Sequence, residues 1–447
     1  MTRSRVGRRL ADNDLGARGA RRRGGVSCAV AVLAVLVTGV SALVGCSESA
    51  DDGDVTLHFI QNKREVIDYF DQVIAQFEKQ YPHIKVVQDN NEGGFVPSLV
   101  RGSPPDVTTR GWAYLSGDLA KKDVFEDLSD LPVARRIDRH AQDLVNAWGQ
   151  YDAGATVALP YSLTAAGVIY NKDLFAKYHV AVPTTWREFT AVCGKFAAAG
   201  VTPIYGTYKD SWTITQGLFD YATGGVADVA DFYDRLIAAG PRPGANAPSF
   251  ATTFAPALPV MSYLRTAVQS NALSRAYTDG NVAFAHGKAA MYLQGPWALS
   301  ELAKSNPELR VGTFPLPVTD NAADRRVRVN VDMALSIPKG AAHPRQARQF
   351  IEFLFQDKII NAYNAANAAF STLAAAPATT DGRIAELAPY VEDGRYYQGA
   401  STYLPPVIAF NAYLQTYAIN GDGKALLAVL DREWQRVARR NANRGTN

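Results

Sequence analysis

A few residues in this 447-residue chain have both the type and the placement to do specific chemistry. The first is a thiol. Cys46 follows Leu43-Val44-Gly45 at the end of an uncharged stretch, Gly24 to Gly45, and arginines at 3, 5, 8, 9, 18, 21, 22 and 23 precede that stretch. A basic start, an apolar core and small residues before the cut describe a secretory signal. A cysteine placed there looks like the acylated residue of a lipobox, so Cys46 is expected to carry lipid and to become the first residue of the exported chain. An uncleaved anchor is the other reading of the same run, since about 20 apolar residues can span a bilayer. The second is Asp332, a carboxylate in Val327-Arg-Val-Asn-Val-Asp-Met333. A charge among valines and a methionine is costly unless it is paired or faces a cleft. Arg110 and Trp112 form a third group, at the end of a predicted strand.

The motifs of several enzyme classes are missing. There is no Gly-x-x-x-x-Gly-Lys-Ser/Thr phosphate loop, His-Glu-x-x-His, Gly-x-Ser-x-Gly or Cys-x-x-Cys. The six histidines (58, 83, 140, 179, 286 and 343) show no ligand-like spacing, so neither a metal nor a cofactor is expected, and the chain reads as a non-enzyme. Paired carboxylates for glycoside cleavage are defined by their separation in space, which leaves an extracellular glycan hydrolase as an alternative. Without residues 1–45 the chain keeps 38 basic and 41 acidic residues, and its formal charge turns from +3 to about −3. The basic pI therefore belongs to the leader, and a nucleic-acid partner is not expected. Cys28 leaves with the signal, so Cys193, in a predicted helix, is the remaining thiol and reads as a buried small hydrophobe.

Hydrophobic periodicity supplies the elements that would position these groups. Val55–Ile60 reads as a strand, Val66, Phe70, Val73, Ile74 and Phe77 mark one helix face, and Ile84–Val87 reads as a second strand. Strand, helix, strand calls for a parallel sheet. Pro105–Thr109 reads as a third strand, and alternation of this kind continues to the C-terminus, which makes the class α/β. Open α/β sheets bind ligands beyond the strand C-termini, where Arg110 and Trp112 fall. Thr185-Trp-Arg-Glu188 fits a capping box, with Trp186 and Phe189 packing that helix onto its support.

Three ordered segments carry a family resemblance: Gly167–Phe175 with Val182–Phe189 and Ala199–Ile204, Val282–Met291 with Gln294-Gly-Pro-Trp297, and Leu335–Gly340 with His343-Pro344 and the helix after it. Together they resemble the family 1 extracellular solute-binding proteins of carbohydrate ABC importers, the maltose-binding-protein group. The resemblance implies a two-lobed periplasmic-binding-protein-like fold with hinge strands and a central ligand cleft. With the signal read at 1–45 and a polar tether at 46–54, the resemblance places lobe 1 at 55–165 plus 328–372, and lobe 2 at 166–327 plus 373–447. It also implies permease subunits as membrane partners, an ATPase reached through them, and a monomer.

The implied ligand is a sugar or oligosaccharide, which needs aromatic planes for its C–H faces and planar polar groups for its hydroxyls. By resemblance, Trp297 would stack on it from the cleft lip, or else cap the next helix from the core. Trp212 falls at a second aromatic position, and Asp210 would accept a hydroxyl or serve as a helix N-cap. Gln61 and Asn62 follow the first strand. Tyr161 and Thr164 flank the first lobe crossing, Asn330 and Asp332 the second. Tyr396 and Tyr397 lie where the family's C-terminal segment meets the cleft, or pack. A glycerophosphodiester or glycerol-phosphate ligand held by Arg110 is the rival within the class.

Overall fold

Alternating apolar residues build the first strand, β1 (Val55–Gln61), which buries Leu57 and Phe59. The helix Ile67–Gln80 buries Phe70, Val73, Ile74 and Phe77, the face its periodicity predicts. Phe59 meets Phe70 edge-on with ring centroids 5.3 Å apart. β2 (Ile84–Asp89) then returns parallel to β1, with Val55 opposite Ile84. The computed structural model that gives these elements describes residues 54–61, 63, 66–147, 155–244 and 246–445. All belong to one of the chain's two compact units, Asp52–Asn447. The signal, Cys46 and Asn62 lie outside the described residues.

β3 (Val107–Arg110) starts two residues later than its apolar pattern predicts. The reason lies in the residues before it. Pro105 has no N–H to give to a ladder, and the Asp106 carboxylate instead accepts from the backbone N–H groups of His58 and His343, each at 2.8 Å. β3 pairs parallel to β1 and antiparallel to β8 (Val327–Ser336).

The strand that organises the rest is β4 (Leu159–Asn171), thirteen residues and all buried. Its first part, through Ala166, pairs antiparallel with β8, and Ser162 and Leu163 also pair with β9 (Phe370–Ser371). From Gly167 onward it pairs instead with β6 (Ala289–Gln294), and from Val168 with β7 (Val311–Phe314). One strand is therefore shared by two ladders. The register slips between Pro160 and Leu163, where proline again withholds a donor. β5 (Thr202–Ile204) lies parallel to β6, and β10 (Tyr396–Gln398) lies parallel to β8.

The helix Trp186–Ala198 is capped as predicted on one side only. Thr185 Oγ1 accepts from the Glu188 N–H at 3.2 Å. The Glu188 carboxylate, however, takes the backbone N–H and hydroxyl of Thr184, at 2.7 and 2.9 Å. The reciprocal half of the box is thus shifted by one residue. Trp186 stacks on Phe189 at 5.5 Å and meets Tyr263 edge-on, a packing role. Burial pushes the Cys193 thiol on this helix up to about 12. In a chain beginning at residue 54, where Cys193 is the sole thiol, maleimide labelling at pH 8 is expected to run roughly 100-fold slower than in denaturant. Equal rates would show that the helix does not shield it.

Candidate ligand-binding site

β8 alternates without a break. Val327, Val329, Val331 and Met333 point into the core, while Arg328, Asn330 and Asp332 share the other face. Those three polar residues line one wall of a cavity of about 830 Å³, together with Gly111-Trp112-Ala113 just beyond β3. The facing wall comes from Trp212, Thr215 and Gln216 and from the segment Ser401–Ala412. The helical segment carrying Trp212 runs through Ser211–Ile214, a π-helical stretch Thr215–Asp220, and Tyr221–Gly224. Thr215 donates from its hydroxyl to Asn411 Oδ1 at 2.6 Å, which ties that segment to the helix Phe410–Asn420.

A buried ion pair joins the two walls. Arg328 Nε donates to Asp220 Oδ2 at 3.1 Å, with the two side chains 2% and 0% exposed. Asp220 also accepts from the Ser401 N–H at 2.8 Å and its hydroxyl at 2.7 Å. Burial raises the Asp220 carboxyl, and Arg328 and Ser401 offset only part of that rise. Among the described residues Arg328 Nη1 has no partner, and neither do Asn330 Oδ1 and Gln216 Oε1. On the same face Asp332 accepts from Lys63 Nζ at 2.5 Å. Trp212 is braced edge-on by Tyr277 at 5.0 Å and Trp297 at 6.3 Å.

The structure brings together four of the residues singled out from the sequence: Trp112, Trp212, Asn330 and Asp332 all line this cavity. Trp297 stands behind Trp212, and its indole N–H donates to Gln294 Oε1 at 3.2 Å. Asp210 makes no side-chain cap. Its carboxylate accepts from the Tyr277 N–H at 2.6 Å, anchoring the start of the distant helix Tyr277–Ala285. Gln61 is fully buried, donating to Gln88 and accepting from the Lys63 N–H, so it closes the turn after β1. Arg110 is buried over the Phe95 ring, 4.9 Å from its centroid, and does not line the cavity. Tyr161 belongs to the core, among Phe70, Phe355 and Tyr363. Thr164 is buried in the β4–β8 ladder opposite Asn330. Tyr397 packs onto Gly224, where a Cβ would fall 1.8 Å from its ring, and Tyr396 lines a different cavity. For Asp210 and Gln61 a backbone donor claimed the side chain, and for Tyr161 and Tyr397 packing against neighbouring rings or backbone did.

A model of the bacterial extracellular solute-binding proteins matches residues 63–359. The chain belongs to this family. It is 24% identical over 336 residues to the multiple sugar-binding protein of Streptococcus mutans, spanning 71% of this chain and 74% of that one. The solute-binding protein RafE, solved in complex with raffinose, superposes with a TM-score of 0.72 at 24% identity over 86% of this chain and 99% of its own. The apo form of RafE from Streptococcus pneumoniae gives 0.72 at 22%, over 86% and 98%. These likenesses establish the two-lobed α/β fold of such receptors.

In this solute-binding protein the cavity offers Arg328 as a donor, Asn330 and Gln216 as acceptors, and Trp212 as a fixed indole. Asp220 and Lys63 offset the charges of Arg328 and Asp332, so the wall presents directional hydrogen bonding with little net charge. Arg328, Ser401, Thr215, Gln216 and Asn411 are among the lining residues the sequence reading missed. Arg328 could have been found, because it stands at the two-residue spacing from Asn330 and Asp332 that puts all three on one strand face. Asp220→Asn is expected to lower stability by about 3–5 kcal/mol, because it strands the Arg328 charge. The Asp220→Leu/Arg328→Met double variant should recover most of that loss in thermal unfolding. A single variant as stable as the parent would show that the pair does not hold the walls.

Proposed function

We propose that this protein is the receptor of an ABC importer and captures a sugar or oligosaccharide in the cavity between β8 and the Trp212 segment. One observation carries the reading: a braced indole faces a strand whose polar face holds Arg328, Asn330 and Asp332 with their charges offset. Flat C–H faces suit the indole, and hydroxyls suit paired donors and acceptors. The relatives, a multiple sugar-binding protein and a receptor solved with raffinose, agree with this choice. A phosphorylated glycerol ligand lacks comparable support, since Arg110 stacks on Phe95 away from the cavity.

In this reading lobe 1 comprises 55–165 plus 328–372, and lobe 2 comprises 166–327 plus 373–447. The lobes rotate about β4, β8 and β9 and close on the solute. Ligand favours the closed form only by its preferential affinity for it, which comes from touching both lobes at once. A micromolar dissociation constant, about −8 kcal/mol, is within reach of one or two stacked rings and a few satisfied polar groups. The closed receptor presents its solute to permease subunits in the membrane, driven by a cytoplasmic ATPase. The protein binds its solute without transforming it. Lipid on Cys46 would keep it at the outer face of the membrane.

A thermal-shift screen with mono- to tetrasaccharides is expected to find stabilising sugars, following RT ln(1 + [L]/Kd). Stabilisation by glycerophosphodiesters alone would reject the sugar assignment, and turnover of a chromogenic glycoside would favour a hydrolase. Trp212→Ala should weaken the best sugar by about tenfold or more, as expected for a stacked aromatic in a water-poor site, while leaving cooperative unfolding intact. Trp297→Ala should cost less, because that ring meets the cavity only through Trp212. Cys46→Ser should leave the product unprocessed or untethered. Membrane retention of a trimmed Cys46→Ser form would refute the lipid assignment.

A further inference from the structure

A second cavity, of about 660 Å³, shares no lining residue with the first. Its floor is apolar: Leu163 of β4, Phe370 of β9, and Leu373. Leu163 and Phe370 are directly opposed in the β4–β9 register, so the cavity lies against β4, the strand that the two ladders share, where β9 joins it. Its rim comes from elements far apart in sequence. They include the start of the helix Arg139–Asn146, the helix Asp357–Ala366, the helix Ala388–Glu392 and β10.

Its polar groups are left incomplete. Asn364 is 3% exposed and donates from Nδ2 to the carbonyls of Tyr161 and Ile360, yet its Oδ1 has no partner among the described residues. One turn earlier on the same helix, Asn361 Oδ1 is also buried without a partner among the described residues, as is the Tyr396 hydroxyl from the opposite rim. A buried acceptor left unmade costs about 1–3 kcal/mol, so two on one helix face call for donors from outside the fold. The charges point the same way. Three carboxylates line the cavity, and among the described lining residues there is no lysine, arginine or histidine. Asp381 is held by Arg383 at 2.6 Å. Asp138 spends one oxygen capping its helix at Ala141, and neither it nor Glu392 has an ion pair among the described residues.

We propose that this cavity is a second binding site, for a small aliphatic polyamine. Ammonium groups are all donor and no acceptor, so they complete Asn361 and Asn364 without demanding donors in return. Their charge complements Asp138 and Glu392, and the methylenes between them lie on Leu163, Phe370 and Leu373. A neutral polyol brings as many acceptors as donors and leaves both carboxylates uncompensated. The site is independent of the sugar reading, because the two cavities have separate walls.

Calorimetry on the exported chain at low salt, with spermidine as the probe, tests this. Saturable one-site binding is expected, weakened about tenfold by Asn361→Leu and by Glu392→Gln, the loss of a charge-assisted hydrogen bond or an ion pair. Trp212→Ala should leave spermidine binding unchanged, and Glu392→Gln should leave sugar binding unchanged, so the two sites fail or succeed separately. Tetramethylammonium, a cation without N–H donors, should bind far more weakly, and so should sorbitol, which has donors without charge. Absence of saturable spermidine binding, equal binding of sorbitol, or indifference to both substitutions would each overturn the proposal.

Discussion

The ion pair between Arg328 and Asp220 is the interaction on which the cavity depends. Taking both ions out of water costs several kcal/mol each, and their attraction repays it only when the remaining hydrogen-bonding capacity is met. Asp220 meets that condition by accepting from Ser401 as well as from Arg328. The approach is so close that a Cβ on Gly399 would lie 2.3 Å from Asp220 Oδ2, so only glycine lets the chain pass there. Three segments far apart in sequence are thereby locked to one another: β8, the helical segment Ser211–Gly224 and the turn at 399–401. Each contributes to one wall or the other, and none would hold its place alone.

The π-helical stretch follows from the same constraint. π-Turns are uncommon and recur at functional sites, because the wider turn re-aims the side chains around it. Here the stretch begins at Thr215 and ends at Asp220. It presents Thr215 and Gln216 to the cavity and carries Asp220 inward to Arg328. An uninterrupted α-helix through the same residues would rotate one of these groups away from its task. The bracing of Trp212 by Tyr277 and Trp297 then fixes the indole that faces β8. Asp210 adds to that brace by holding the backbone of Tyr277.

The two cavities lie against different parts of the same strand system. β8 turns its polar face to one, while β4 and β9 give apolar residues to the other. β4 is the strand common to both ladders, and it is about this strand that the proposed closure would turn. Beside that strand the core is close-packed, with the Tyr161 ring 5.2 Å from both Phe355 and Tyr363 between centroids.

Much of the fold was legible in the residues. The apolar face of the first helix, the parallel β1–β2 pair and the α/β class follow from periodicity, which is local and survives without knowledge of the rest of the chain. Asp332 was legible too, because a carboxylate in a valine strand must be paired or face a cleft, and here it does both. The other site residues divide for a physical reason. Tyr161, Gln61 and Arg110 sit beside the right strands, but a side chain's direction there depends on which neighbour packs on it. Arg328 went unread although its spacing marked it, since its partner Asp220 lies 108 residues away. Composition and pattern alone determined the class of the fold, the order of its elements and the kind of chemistry its polar residues could do. Which of those residues meet across a common space was decided only by tertiary packing, because burial and pairing are properties of neighbours that the chain brings together from afar.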